Sequence, residues 1–593
     1  MKITPNNFTI GQLYTNSMEQ FFIPAYQRRY AWNLKQLDAL FNDINQLDEN
    51  DFHLLGTVLF LTEEHKAGLN ILEVVDGQQR ITTISILLKV FMDHFGESNG
   101  EETSEIKRYL SCKDIDRKQF NKLKLGDLDN SDYEKIINGD MEGIVNKNLL
   151  SAYTYFKEKI EGLGDKAFAF CDKLINKTLI IRLDISQAKD AYKLFETINN
   201  RGLKLTTTDI IKNFILGHAS LIDEKTLNAV KNNWRSLIVN LDGLDSDGFF
   251  RHFMMGKVKI KVPKSKLSES FKHYYYINVK EANILSDYRA HFDLIERADG
   301  ISEEGEEDNG NGANHSDAGQ YSDKKVSILE FSKALRDATE IYSKLENRKF
   351  DNPKINAALF DLSRIEARPA FTFLLDLFQR KISEADAIEI IRLIETFMLR
   401  RHICEYRTSE LDDIFSRLVK ISDENIAQNV KDALKEELPS NVEFFEKFQK
   451  ARFKGLEDRA KAILEKVEYY LIKDRGEYSL KSGNDVHLEH IIPLTINTKK
   501  SVKQFGDWPH YLGEGCFDKH KDYVWRIGNL TIISQTLNII ASNNPFRAKL
   551  KEYAKSNISL NKKIIKEFSK FKFSQVDERS KELAEVALKI WKF

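Results

Sequence analysis

Residues 72–95 read LEVVDGQQRITTISILLKVFMDHF, and this stretch decides the fold class. A short apolar strand ends at Asp76-Gly77, and a long apolar helix follows directly, so sheet and helix share one local unit. An α+β class follows. At such a turn, backbone N–H groups at the helix start can face an anion while Arg80 supplies charge. A purely structural turn explains DGQQR equally well when it is taken alone.

Upstream, residues 23–32 read IPAYQRRYAW and lead into an amphipathic run carrying Leu37, Leu40, Phe41 and Ile44. The pattern predicts a strand or loop with exposed polar tips, then a helix. Downstream, residues 298–325 are rich in Gly, Asn, Asp, Glu and Ser and nearly empty of large apolar groups, which predicts a disordered loop or linker. Beyond it Val326, Leu329, Leu335, Ile341, Tyr342 and Leu345 recur at helical spacing, and the amphipathic pattern continues through residues 380–470. The middle is therefore expected to be helical, and nine prolines in 593 residues fit a helix-rich chain.

Composition narrows the class further. With 42% hydrophobic residues the chain can bury several cores, so it reads as globular and multidomain. The formal net charge of -1 argues neither for nor against nucleic acid, and any basic surface must be local. Cys112, Cys171, Cys404 and Cys516 form no CxxC pair, which excludes a thiolate zinc site and a dense disulfide framework. No signal peptide and no apolar run of membrane-spanning length is present, so a cytoplasmic protein without a membrane role is expected.

The C-terminal region carries the sharper chemistry. Residues 486–493 read VHLEHIIP, residues 526–533 read RIGNLTII, and Asn538, the SNNPF run at 542–546 and Lys549 follow. A carboxylate-histidine step, an Asn-Leu strand and a later helix Asn or His are the three parts of a ββα-metal nuclease, which this spacing resembles. Phosphodiester cleavage needs a hard cation, suited to a carboxylate and an amide oxygen, and an imidazole to take a proton from water. Glu489 and Asn538 are thus expected as metal ligands, His490 as general base and Asn529 as a brace for the hairpin. His487 or Asn543 remains open as a replacement ligand. Neighbours on a regular strand point to opposite faces, so Glu489 and His490 reach one phosphate only through distortion before Pro493. Between Phe546 and Phe573, nine basic residues face two acidic ones, a local balance of +7. Arg547 and Lys549 are expected there as DNA contacts, and an ordinary solvated lysine face is the bland alternative.

Together QRRYAW and DGQQR resemble the N-terminal domain of GmrSD-type type IV restriction enzymes, related to the ParB/sulfiredoxin-like nucleotide-binding fold. FETINNRGLKL at 195–205, with Thr206 to Asp209 capping the next helix, and FMLRRHICEYRT at 397–408 extend the resemblance. The C-terminal constellation is similar to the HNH nuclease domain that accompanies that N-terminus. The resemblance implies a pocket that binds and hydrolyses a nucleoside triphosphate, lined here by Gln27, Arg28, Asp76, Gly77, Gln78, Gln79 and Arg80. Asn199, Arg201 and Asp209 fall on the pocket wall, though helix capping and turn formation explain those pieces equally well. No Walker A sequence occurs, so this is not a P-loop enzyme.

The expectation is a helix-rich α+β protein. Residues 8–225 would form the nucleotide-binding domain, 226–297 a helical extension, 298–325 the linker, 326–440 a helical connector and 441–593 the HNH-type nuclease. It would be an NTP-regulated endonuclease of anti-phage defence that needs Mg2+ or Mn2+ and cuts modified double-stranded phage DNA, with assembly into a homo-oligomer left open. Two other readings stand beside it. One is a phosphorothioate-sensing NTPase and nickase, and the other a non-enzymatic ParB-like DNA-binding protein with a decayed nuclease fold.

Overall fold

Gly77 carries the chain from strand to helix with φ +93°, in the left-handed region where only glycine is unstrained. A β-carbon there would lie 2.8 Å from Val58 Cγ2, so packing as well as conformation demands glycine. The computed structural model describes residues 6–48, 51–66, 68–96, 100–199, 206–284, 325–380, 382–472, 486–496 and 507–593. The chain divides into two compact units, residues 1–251 with 263–340, and residues 252–262 with 341–593. No helix among the described residues is long and apolar enough to cross a membrane.

In the first unit the strands are β1 (Asn6–Thr9), β2 (Glu19–Phe22), β3 (His53–Lys66), β4 (Leu69–Asp76), β5 (Ser111–Lys113), β6 (Gln119–Asn121), β7 (Leu123–Lys124) and β8 (Thr178–Ile185). Six of them form a mixed sheet in the order β1-β8-β3-β4-β2-β7, while β5 and β6 pair as a separate two-stranded sheet. β3 runs antiparallel to β4 and parallel to β8, and β2 lies parallel to both β4 and β7. The helix Gln78–Phe95 leaves the end of β4 and is buried on nearly every side. Ile84, Leu87 and Phe91 are each fully buried and contribute roughly 1.5–3 kcal/mol apiece. Two of the helix's buried hydroxyls are satisfied internally: Thr83 Oγ1 donates to Gln79 O at 2.8 Å, and Ser85 Oγ pairs with the Tyr14 hydroxyl at 3.1 Å.

The segment at 23–32 is folded inward. Tyr26, Gln27 and Tyr30 are buried while Arg28 stays exposed, so the expectation of exposed polar tips holds only in part. The reason is a set of internal acceptors: Arg29 Nε donates to Asp129 at 2.7 Å and the Tyr30 N–H to the same carboxylate at 2.6 Å.

In the second unit the part of the expected connector at 341–440 is largely helical, including Glu384–Ile403, and the helix Glu457–Leu471 follows it. The arginines of FMLRRHICEYRT serve as internal staples. Buried Arg400 donates to Pro439 O at 3.0 Å and Asn441 Oδ1 at 2.8 Å, and Arg401 to Glu437 O at 2.8 Å. Toward the C-terminus, β9 (Val486–His490) pairs antiparallel with β10 (Leu530–Ser534), and the helix Gln535–Ala541 follows. Three more helices, Phe546–Tyr553, Ser559–Glu567 and Phe573–Ile590, complete this region. A β-carbon on Gly528 would lie 2.2 Å from Val576 O, so the turn into β10 sits directly on the last helix. The linker read at 298–325 lies, apart from Lys325, outside the described residues.

Candidate functional site

The first candidate centre forms where the loop after β2, the turn after β4 and the helix Thr207–Ser220 meet. Gln27 Nε2 donates to Val74 O and Val75 O at 3.3 and 3.2 Å, and its Oε1 accepts from the buried Lys212 ammonium. Lys212 also lies 3.7 Å from Asp209, which in turn lies 3.7 Å from the Arg28 guanidinium. Gln79 closes the loop, accepting from the Ala31 N–H at 2.8 Å and donating to Arg29 O at 3.2 Å. Arg80 Nη1 donates to Thr57 O at 2.9 Å.

Charge at this centre is held under tension by burial. Burial pushes the Asp76 carboxyl above its ordinary range, opposed by Arg80 and by the Gly77 N–H. It pushes Lys212 down, opposed chiefly by Asp209. Gln78 Oε1 is buried without a partner among the described residues. The cleft bounded by Gln27, Arg28, Gln78 and Gln79 encloses about 20 Å3, room for a water. Arg28, with 43% of its side chain exposed, is the cation that reaches solvent. Asn199 and Arg201 have side chains outside the described residues.

Sequence reading missed Lys212 here. Its signal was a lysine set among Ile210, Ile211, Phe214 and Ile215, one turn from Asp209. A charge inside an apolar helical run needs a buried partner.

The second candidate centre is the end of β9. His490 stands opposite Leu530, and its ring meets Trp525 edge-on, with centroids 4.5 Å apart at 90°. Nε2 is buried and has no partner among the described residues. Burial, with Lys549 and His520 nearby, pushes the imidazole down to about 3, so the ring is neutral. Asn529 locks the chain beyond it. Its Oδ1 accepts from the Ile492 N–H at 2.8 Å, and its Nδ2 donates to Ile492 O at 2.9 Å and Val524 O at 3.0 Å. His520 Nε2 lies 2.7 Å from Pro493 O.

Glu489, read from the sequence as a metal ligand, is turned away from the His490 ring into the core. Its Oε1 accepts from Lys549 Nζ at 2.6 Å and from the Tyr553 hydroxyl at 3.0 Å. Strand alternation is the physical reason, and no distortion before Pro493 brings the two side chains together. Lys549, read as a DNA contact, has a side chain only 1% exposed, and its ammonium also donates to His490 O at 2.6 Å. Burial pushes Glu489 up and Lys549 down, and their mutual attraction opposes both shifts. Asn538, the other expected ligand, donates from Nδ2 to Leu488 O at 3.4 Å. Arg547 is exposed. No cluster of three or more His, Cys, Asp or Glu side chains suited to a metal occurs among the described residues. As arranged, the pair Glu489 and Asn538 does not fit a divalent cation. The alternatives held open were His487 and Asn543; the Asn543 carbonyl accepts from Trp508 Nε1 at 2.9 Å.

Comparison with known proteins adds two findings. Residues 10–216 match the family model described as GmrSD restriction endonuclease, N-terminal domain, and residues 438–586 match the model for the C-terminal domain of GmrSD restriction endonucleases. No curated protein matches the chain.

Proposed function

The chain belongs to the GmrSD restriction endonucleases, and from that membership we propose an NTP-regulated, metal-dependent nuclease of type IV restriction that cuts modified phage DNA. The observation that carries the cutting centre is His490: a neutral ring whose buried Nε2 has no partner among the described residues, on a strand whose exit Asn529 locks by two hydrogen bonds to Ile492. A neutral imidazole accepts a proton from water as the water oxygen attacks phosphorus. Negative charge on an adjacent phosphate raises the affinity of the ring for that proton, which offsets the effect of burial. Asn529 acts through the backbone, fixing the ring's position.

Magnesium or manganese, if recruited, would offset charge on the phosphate, but Glu489 and Asn538 as arranged do not hold it. Glu489 is committed to Lys549 and Tyr553, so no step is routed through the ion. In the first unit, the exposed Arg28 at the cleft is the cation available to a polyphosphate, and Gln78 Oε1 supplies an open acceptor.

The test is incubation of the purified full chain with unmodified, glucosylated hydroxymethylcytosine and phosphorothioate DNA. Each is run with and without each NTP, and with magnesium or EDTA, and cleavage is followed on gels. NTP-dependent cutting of the glucosylated DNA is expected. NTP turnover stimulated by phosphorothioate DNA would favour the sulfur-sensing reading, and no cutting under any condition would sink the nuclease.

A further inference from the structure

Within the second unit, beside the hairpin of the His490 centre, lies a cavity of about 330 Å3. This falls at the lower end of the roughly 300–1,000 Å3 of small-ligand sites. Trp508, Tyr511 and Phe546 wall it, and Arg547, Ser569 and Lys570 stand exposed around it. The aromatic walls are fixed before any ligand arrives. Trp508 Nε1 donates to Asn543 O at 2.9 Å, and the Tyr511 hydroxyl accepts from the Phe571 N–H at 2.9 Å. The Trp508 and Tyr511 rings stand 86° to one another at 5.5 Å. Asp507 contributes one carboxylate, whose Oδ1 accepts from the His510 N–H at 2.9 Å.

We propose that this cavity receives a single base of the DNA, swung out of the helical stack. The argument is one of chemistry and placement, and it rests on the nuclease reading above. Tyr511 presents a partly exposed ring to a base, backed by the buried Trp508 and Phe546, and cations at the mouth suit the phosphates flanking it. The remaining Asp507 oxygen is an acceptor for an exocyclic amino group, as on cytosine or adenine. The helix Phe546–Tyr553 links the two sites: Phe546 walls the cavity, and Lys549, one turn on, holds the His490 carbonyl at 2.6 Å. A base seated in the cavity therefore registers the strand against the cutting centre. Arg547, expected from the sequence as a DNA contact, stands at the mouth.

The test measures fluorescence anisotropy of the full chain with three labelled duplexes, fully paired, singly mismatched and abasic, in EDTA so that nothing is cut. A mismatched base is already unpaired, so the mismatched duplex is expected to bind about tenfold more tightly than the paired one. The abasic duplex, with no base to seat, loses most of that gain. Ser569→Phe places a ring at the exposed mouth and is expected to bring the preference to within a factor of two. Lys521→Phe, an aromatic added at an exposed position outside the lining, retains it. Equal binding of all three duplexes, or a preference that survives Ser569→Phe, overturns the proposal. Cleavage of the paired and mismatched duplexes, made with glucosylated hydroxymethylcytosine and run in magnesium with NTP, is read in parallel. DNA that is cut without any mismatch preference sinks the cavity's role alone, and a protein that neither binds nor cuts DNA sinks the nuclease reading with it.

Discussion

The two candidate centres are built in opposite ways. In the first unit, Gln27 is far in sequence from Asp209 and Lys212, yet its Oε1 accepts from the Lys212 ammonium, which lies 3.7 Å from the Asp209 carboxylate. At β9, Glu489 and His490 are adjacent in sequence and are sent apart, one into the core against Lys549 and the other against Trp525. Nearness in a motif is therefore no measure of nearness in a site. On a strand, the side of the sheet decides, and in a cleft, the topology does. The first centre holds a mixed cluster of charges that mostly satisfy one another, and the second holds one neutral ring left unsatisfied.

The sharpest way to break this contrast is His490→Ala. It should lower DNA cutting by about two to four orders of magnitude while NTP turnover and the thermal midpoint stay near those of the parent, measured on gels and by calorimetry. Cutting at the parental rate would remove the ring from the chemistry.

Next in size is the pair behind it. Glu489→Ala or Lys549→Ala leaves a charge buried alone, and each should cost about 3–5 kcal/mol in urea unfolding. The double change Glu489→Leu with Lys549→Met should recover most of this. A stable Glu489→Ala protein whose cutting returns with added manganese would instead put that carboxylate on a cation.

Acid stability offers a third test. His490 and His402 are pushed down to about 3 and about 4, mainly by burial. Their unfolded forms take protons near pH 6.5, so this contribution is intact above pH 6.5 and is lost as pH falls toward the folded values. For His490 alone the loss is about 3 kcal/mol near pH 4. His490→Gln should flatten the dependence of the urea midpoint on pH, and an unchanged slope would place the ring in water.

The smallest effect is expected at the first centre. Arg80→Ala removes a charge-assisted contact of about 1.5–3 kcal/mol, more than tenfold in nucleotide affinity. Unchanged NTP hydrolysis by a folded Arg80→Ala protein would detach this cleft from nucleotide chemistry.

The local grammar of the chain was legible from the outset. The strand, glycine and helix of residues 72–95 appear as β4, Gly77 and the helix Gln78–Phe95, because apolar periodicity and a left-handed glycine are properties of neighbours in sequence. The helical middle and the strand at RIGNLTII were legible for the same reason. Burial was not. Lys549 lies in a strongly basic stretch and reads as a surface cation, yet it is among the least exposed side chains of the second unit because Glu489, sixty residues earlier, waits beneath it. Lys212 belongs to no motif and is buried behind the first cleft because Gln27 and Asp209 converge on it. Sequence alone determined the elements, the family and the residue types of both centres. Only tertiary structure decided which of those residues share a site, because a charge enters a protein interior only where a distant segment brings its partner.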